Sequence, residues 1–248
     1  MKVKLIASTE LHGHFDDTPW VPYVNDGVQF DDYVPDADYL AEFAGRACYE
    51  SWHRPNPATG QNDTYLEHIL EVGHESVLEH ASASFYVTGV SRSLLAELTR
   101  HRHLSFSVRS QRFVDESHAT FITPPALVEL HAQLKGQAGY AADALISHVR
   151  AVSETALESY EVLVARLTAA GVARKQAREA ARSVLPQATE TRFVVTGNMR
   201  AWREVIKKRF SPQADAEIRE LARELLVQLA ALAPNTFQDM TYMLERPL

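Results

Sequence analysis

A short stretch of the chain, from Arg92 to Arg112, concentrates residues that bind anions. It contains five arginines and one acidic residue, Glu97, in a chain whose formal net charge is −7 at pH 7. A guanidinium group stays charged at any working pH, and its planar fork binds phosphate or carboxylate through two parallel hydrogen bonds. Because so many like charges repel one another unless an anion lies between them, the stretch predicts a site for an anionic ligand.

The spacing in this stretch predicts how its side chains are presented. Ser91 is suited to cap a helix that runs to about residue 103. Residues three or four positions apart would then share one face of that helix: Glu97, Arg100, His101 and Leu104. Arg102 and His103 would point elsewhere, and a serine-rich turn over residues 105–110 would offer hydroxyl and N–H groups. The segment is therefore expected to contact two anionic ligands on different sides.

Two other interpretations of the basic stretch stay open at this point. A solvated helix end favours cations near its C-terminus, which explains two arginines but not two Arg/His pairs followed by a serine turn and a further arginine. A nucleic-acid-binding patch is the second alternative. The acidic net charge and the lack of a recognisable DNA- or RNA-binding module disfavour it.

The overall composition is typical of a folded enzyme-sized domain. The chain has 248 residues, of which 46% are hydrophobic and 23% charged. It lacks a run of about 18 apolar residues and a signal peptide, so we expect a cytoplasmic protein that neither spans a membrane nor coats nucleic acid. Its single cysteine, Cys48, precludes an intramolecular disulfide and a thiolate zinc site. Cys48 is expected to be buried on an apolar helix face and inert.

Hydrophobic periodicity and turn residues predict helices and strands without a regular βαβ rhythm. Strands are expected over residues 2–8, 82–90 and 189–196, with Gly197 ending the last strand. Helices are expected over residues 38–49, 64–72, 91–103, 126–170 with a break near 136–139, 173–184, 198–209 and 214–233. The pattern predicts one α+β domain over residues 1–248, with a central antiparallel or mixed sheet and flanking helices. Neither a G-x-G-x-x-G motif nor a P-loop is present.

The basic stretch also carries the signature of a known family. Arg100, His101 and Arg102, followed after seven residues by Ser110, match the R-H-R-x7-S pattern of the flavin-dependent thymidylate synthases. The resemblance to the actinobacterial members extends over most of the chain, except for the loop before residue 38 and residues 119–170. It implies a homotetramer with active sites at subunit interfaces. It also implies conversion of dUMP to dTMP with FAD as cofactor and with NADPH and 5,10-methylenetetrahydrofolate as co-substrates.

The resemblance assigns binding roles residue by residue. The positions that match FAD-binding residues are Ser76, Arg100, His101, Arg102, Val108, Asn198, Met199, Arg200 and Glu204, with Ser76 supplied by a neighbouring subunit. The positions that match dUMP-binding residues are Glu97, Arg100, Ser110, Gln111, Arg112, Arg182 and Arg209. Arg209 is also the implied catalytic residue, because a guanidinium beside uracil N3 would stabilise the deprotonated ring.

Several residues depart from the family's usual pattern. Val108 stands where Gln or Glu is common, so a flavin contact there would use the backbone. Arg109 replaces a common leucine and is expected to add a phosphate contact or only surface charge. Glu204 stands where His or Asn is frequent, which puts an acid beside the cofactor.

Two further features partly match a zinc site and a serine nucleophile, but the sequence favours neither. The segment from His74 to His80 fails both the H-E-x-x-H and the H-x-x-E-H zinc patterns, so no metal site is predicted. Ser110 lacks an activating base, and an unactivated serine is a weak nucleophile. The family chemistry uses no enzyme nucleophile, and no role for Cys48 is expected.

Overall fold

Four antiparallel strands form the sheet in the computed structural model, which describes residues 1–11, 34–51, 56–134 and 139–245. The strands are β1 (Lys2–Ser8), β2 (Ser82–Ser91), β3 (Ser105–Val108) and β4 (Glu190–Asn198). Their order across the sheet is β1-β2-β4-β3. The three expected strands are confirmed as β1, β2 and β4, and the sheet is antiparallel throughout.

Eight helices surround the sheet within these described ranges. They are α1 (Asp36–Tyr49), α2 (Asn62–Glu71), α3 (Arg92–Leu98), α4 (Pro125–Gln133), α5 (Gly139–Ala169), α6 (Arg174–Ala181), α7 (Met199–Arg209) and α8 (Ala216–Leu232). Short 3-10 turns cover Pro57–Thr59, Glu75–Glu79, Arg182–Val184 and Gln238–Glu245. The α+β class is confirmed. The loop expected before residue 38 lies mostly outside the described residues, as does most of the break expected near 136–139.

The core lies between one face of the sheet and the helices α3, α7 and α8. Alternate residues of the central strands, such as Phe85 and Val195, are paired across the sheet and fully buried. Trp202 of α7 packs edge-on against Phe85, with 5.2 Å between the ring centroids. This packing fixes α7 against the sheet, and α7 supplies much of the candidate site. Among the described residues, no helix is both long and apolar enough to span a membrane.

The helix expected over residues 91–103 is shorter than predicted. Ser91 caps α3 as expected, its hydroxyl oxygen accepting from the Leu94 N–H, but the helix ends at Leu98. Tight backbone turns follow, in which Arg100 donates to the Glu97 carbonyl and Leu104 donates to the His101 carbonyl. The shared helix face predicted for Glu97, Arg100, His101 and Leu104 is therefore wrong. So is the serine turn from 105, because Ser105–Val108 pairs with β4 as β3.

Gly197 does not end a strand, as the sequence suggested, but lies inside β4 opposite Ala83. A Cβ atom at Gly197 would lie 2.5 Å from a side-chain carbon of Leu104 and 3.2 Å from Trp202. Glycine is therefore required for a close approach rather than for a turn. It lets the segment after Arg100-His101-Arg102 pack directly against β4 and α7.

Cys48 is exposed rather than buried, so that prediction is wrong. The helix containing it, α1, buries a different face that includes Asp38, Glu42 and Arg46. Asp38 accepts hydrogen bonds from the Asn235 and Thr236 N–H groups, and Arg46 pairs with Glu42 at 2.6 Å. Apolar periodicity missed this face because three of its buried residues are charged, and the partners of Asp38 lie far along the chain.

Candidate active site

A cleft of about 560 Å³ opens between the segment that follows α3 and the exposed side of α7. It is lined by Arg100, His101, Arg102, His103, Leu104, Ala201, Glu204, Lys208 and Arg209. The first five residues arrive on the tight turns between α3 and β3. The other four recur along one side of α7 at helical spacing. Five of the predicted site residues thus come together: Arg100, His101, Arg102, Glu204 and Arg209.

The cleft carries more positive than negative charge. Arg100 and Arg102 are exposed and form no ion pair with any described residue. Glu204 is the acid in the lining, and it is paired with Lys208 one helical turn away. The hydrogen bond from Lys208 lowers the pKa of Glu204, so the carboxylate stays charged and is locally neutralised. The two unpaired guanidinium groups remain available to an anion.

Arg209, at the C-terminal end of α7, is fixed by three hydrogen bonds. Its Nε–H donates to His101 Nε2 at 2.9 Å, and its two terminal nitrogens donate to Glu97 Oε2 and to the Glu97 carbonyl oxygen, both at 3.1 Å. Only 19% of the side chain is exposed. Because all three guanidinium nitrogens have protein partners, the plane of the group is oriented before any ligand arrives.

His101 is held in its neutral form beside Arg209. Burial lowers its pKa, and the Arg209 charge lowers it further. Since Nε2 accepts a hydrogen bond, that nitrogen is unprotonated and the neutral ring carries its proton on Nδ1. Glu97 is shifted in the opposite direction. Burial and the neighbouring Asp215 carboxyl raise the pKa of Glu97, while Arg209 opposes the shift.

A smaller cleft of about 210 Å³ adjoins the first. It is lined by Glu79, His103, Asn198, Arg200, Ala201 and Glu204, of which three also line the larger cleft. Asn198 caps α7 by accepting from the Ala201 N–H at 2.8 Å. Arg200 is paired with Glu79, and Glu75 lies 3.9 Å away. The two clefts together form one elongated groove along the N-terminal and exposed sides of α7.

Three residues expected to bind FAD, namely Ser76, Val108 and Met199, do not line this groove. Met199 is 1% exposed and belongs to the core, so only its backbone is available to a ligand. Ser76 is exposed on the Glu75–Glu79 turn, which packs against α7. Val108 lies on β3, half-buried and paired with Phe193, away from both clefts.

Four residues expected to bind dUMP lie beyond the other end of β3. They are Ser110, Gln111, Arg112 and Arg182, and none of them lines either cleft. The four residues of β3 alone displace the chain by about 10 Å. Ser110 accepts hydrogen bonds from the Phe113 and Val114 N–H groups, which closes a turn over residues 110–114. The exposed Arg182 begins the Arg182–Val184 turn after α6.

Sequence reasoning assigned no role to two residues of the cleft, His103 and Lys208. His103 directly follows the Arg-His-Arg string, so its position could have been considered. The signal for Lys208 was a basic run that ends α7, Lys207-Lys208-Arg209. No group of three or more His, Cys, Asp or Glu side chains is arranged to hold a metal ion in the part of the chain that the structure describes.

Comparison with known proteins identifies the family. The model of the family described as "Thymidylate synthase complementing protein" matches residues 30–235. A probable flavin-dependent thymidylate synthase of Mycobacterium phage L5 is 54% identical over 246 residues, 97% of each chain. Flavin-dependent thymidylate synthases of Mycobacteroides abscessus (56% over 211 residues, 84% of this chain and 82% of the relative) and Mycobacterium tuberculosis (50% over 239 residues, 96% and 89%) are also similar. The chain therefore belongs to the flavin-dependent thymidylate synthases, a family of enzymes.

Proposed function

We propose that this chain catalyses the FAD-dependent reductive methylation of dUMP to dTMP, with 5,10-methylenetetrahydrofolate as carbon donor and NADPH as reductant. The observation that carries the proposal is the groove along α7, where Arg100 and Arg102, which pair with no acid in the described part of the chain, lie beside the oriented Arg209. A flavin dinucleotide and a uridylate both carry phosphate, and both need cationic partners. In the reaction, uracil C5 loses its proton and gains the one-carbon unit of the folate, and one hydride completes the methyl group as tetrahydrofolate leaves.

The residues of the groove fit an FAD molecule. Arg100 and Arg102 suit its diphosphate, since their guanidinium groups are exposed and unpaired within the described part of the chain. His101, Asn198, Arg200 and Glu204 border the same groove. When bound, the flavin would supply the hydride received from NADPH. The acid at Glu204 does not oppose binding, because Lys208 already neutralises it.

Three of the assigned FAD positions would make other kinds of contact. Val108 and Met199 would contribute backbone groups, since one side chain is half-buried and the other belongs to the core. Ser76 would act from a neighbouring subunit, for which its exposure on the Glu75–Glu79 turn is suitable.

Arg209 is proposed to bind the uracil ring and to stabilise its anionic form. A cation beside N3 favours the anion, and the anion makes C5 nucleophilic. The hydrogen bonds to Glu97 and His101 keep the guanidinium in one plane, so no reorientation is needed as charge develops. Glu97 and Arg100 would contact the same nucleotide.

The turn over residues 110–114 is proposed to bind the dUMP phosphate. Ser110 accepts two backbone hydrogen bonds there, as a residue at a helix N-terminus does. The N–H groups of Gln111 and Arg112 make no hydrogen bond with described residues, which leaves them free for an anion. Arg112 lies 3.6 Å from Glu179, and both side chains are substantially exposed. Arg182 would add a second guanidinium.

We further propose a homotetramer in which two subunits complete each dUMP site. Within one subunit, the residues assigned to dUMP form two separate groups. Glu97, Arg100 and Arg209 lie at the α7 groove, while the phosphate-binding turn lies beyond the far end of β3. A groove of one subunit facing the turn of another would bring the two groups to one nucleotide.

No cysteine nucleophile is proposed. Cys48 is exposed near the end of α1 and lines neither cleft. A thiolate that attacks uracil C6 would have to lie in the groove beside the ring, and Cys48 does not. The nucleotide is therefore activated by charge rather than by a covalent bond to the enzyme.

The test is an anaerobic two-step assay on purified protein reconstituted with FAD. NADPH alone should bleach the flavin absorbance. Later addition of dUMP and 5,10-methylenetetrahydrofolate should restore the absorbance and yield one dTMP per flavin oxidised. Flavin reduction without dTMP formation would contradict the proposed reaction, and failure to bind flavin would contradict the cofactor assignment.

A further inference from the structure

Arg109 occupies a buried ionic cluster, not the surface or phosphate-facing position expected from the sequence. Its terminal nitrogens lie 3.2 Å from Glu116 Oε2 and 3.5 Å from Glu190 Oε2. The Glu116 side chain is 1% exposed and that of Glu190 is 7% exposed, whereas Arg109 is 18% exposed. Burying two carboxylates near each other is costly unless a cation lies between them.

The Glu116 carboxylate relies on the Arg109 charge more than the Glu190 carboxylate does, because Glu190 has other partners. Glu116 Oε2 has no hydrogen-bond donor among the described residues, so its 3.2 Å contact with Arg109 is a charge contact without hydrogen-bond geometry. Burial raises the pKa of Glu116, and the Arg109 charge is the largest effect that lowers it. Glu190 raises it again, and Arg92 and Arg192 lower it. Glu190 has other partners. It accepts from the Gly89 N–H at 3.0 Å and from the exposed Arg192 side chain at 3.1 Å.

The cluster lies directly beneath the turn proposed to bind phosphate. Arg109 and Glu116 are the two ends of the segment 109–116, which contains the turn. Arg109 immediately precedes Ser110, and its N–H donates to the Arg192 carbonyl at 3.0 Å. At its far side the segment is held by α5 and α6. Tyr160 accepts from the Glu116 N–H, and Arg178 donates to the Phe113 carbonyl at 2.7 Å. Arg109 thus joins both ends of the segment to β4.

We propose that Arg109 is a positioning residue for the nucleotide phosphate: by neutralising Glu116 and Glu190 it holds the 110–114 turn in its phosphate-binding shape. The inference rests on the proposed function and adds a residue that touches no ligand itself. The charge of Arg109 is directed inside the protein, toward Glu116 and Glu190. Losing that charge would leave Glu116 without its ion-pair partner, below a site that must attract a dianion.

The test compares Arg109→Leu with Arg192→Leu, which removes an exposed guanidinium from the same Glu190. For Arg109→Leu we expect the KM for dUMP to rise about tenfold, equivalent to about 1.4 kcal/mol. The kcat at saturating dUMP and the FAD content should stay within about twofold of wild type. Because loss of the Arg109 charge would raise the pKa of Glu116 further, with Arg92 and Arg192 still opposing the rise, the increase in KM should become smaller as the pH is lowered. Arg192→Leu should leave KM within about twofold.

A double variant, Arg109→Leu with Glu116→Gln, separates this role from a general loss of stability. It removes the unneutralised carboxylate, so most of the dUMP affinity should return and the pH dependence of the effect should vanish. If Arg109→Leu does not fold, Arg109→Lys replaces it. This variant keeps the charge, but one ammonium group cannot lie near Glu116 and Glu190 as the two terminal nitrogens of Arg109 do. Its KM for dUMP should therefore rise several-fold at unchanged kcat.

Three results would overturn the proposal: an unchanged KM in the folded single variant, equal losses of kcat and FAD, or a double variant no better than Arg109→Leu. Equilibrium binding of dUMP to the wild-type holoenzyme is measured first. Absence of binding there would reject the proposed function as a whole. Equal binding by wild type and Arg109→Leu would reject the role of Arg109 alone.

Discussion

Replacing Arg209 with alanine should abolish most turnover while the flavin remains bound. The substitution removes three hydrogen bonds, one to His101 and two to Glu97. Removing one preorganised donor from an active site typically lowers kcat by about 10²–10³, or about 3–4 kcal/mol. Because the guanidinium is expected to act on the uracil ring and not on the dinucleotide, FAD content should fall by less than about twofold.

The assay measures kcat and KM for dUMP together with the flavin-to-protein ratio of the same preparation. Arg209→Lys is a second variant, because one ammonium group cannot make three hydrogen bonds of this geometry. We expect it to retain the charge but to recover only part of the rate. The matched control is Lys207→Ala, on the same turn of α7 but paired outside the cleft with Glu75. A fall in kcat of less than about fivefold, or a proportional loss of FAD and activity, would refute the assigned role.

Three further predictions follow from the described contacts. Arg203→Met should lower the free energy of unfolding by about 2–3 kcal/mol in a denaturant titration, because Arg203 is 1% exposed and binds Asp239 through two hydrogen bonds; a change below about 0.5 kcal/mol would contradict this. His101→Gln should destabilise the protein above about pH 6.5, the unfolded histidine pKa, with the difference from wild type shrinking as the pH falls through the lowered folded-state pKa; a difference that grows on acidification would contradict it. Cys48→Ala should leave dTMP synthesis unchanged, and complete loss of activity would disprove a mechanism without a cysteine nucleophile.

The sequence predicted the main strands and helices because their signals are local. Lys2–Ser8 matches the expected alternation of polarity, and α7 begins within one residue of the expected start, with Asn198 as its cap. The stretch Arg100-His101-Arg102-His103 was found for the same reason, since its arginines and histidines are adjacent in the chain. Its position beside α7 was not predictable by periodicity, because the helix before it ends at Leu98 and the string lies on turns.

Features that depend on distant partners escaped the sequence reasoning. Gly197 was expected to end a strand, but its lack of a side chain serves the approach of Leu104 from another segment. Arg109 was expected to contact a phosphate or to add only surface charge, because nothing local indicates that Glu190, 81 positions later, would face it. Cys48 was placed on a buried face, but α1 buries Asp38, Glu42 and Arg46 beside its alanines and leaves Cys48 exposed. In each case a tertiary contact, not a local propensity, decided the outcome.

The central claim is that the groove along α7 binds a flavin and a uridylate side by side. Its most direct test is the visible absorbance spectrum of the purified protein, recorded with added FAD and then during titration with dUMP. We predict a protein-bound flavin band that dUMP shifts saturably, with the shift lost in Arg209→Ala while the band remains. A protein that binds no flavin, or a flavin band indifferent to dUMP, would contradict the account.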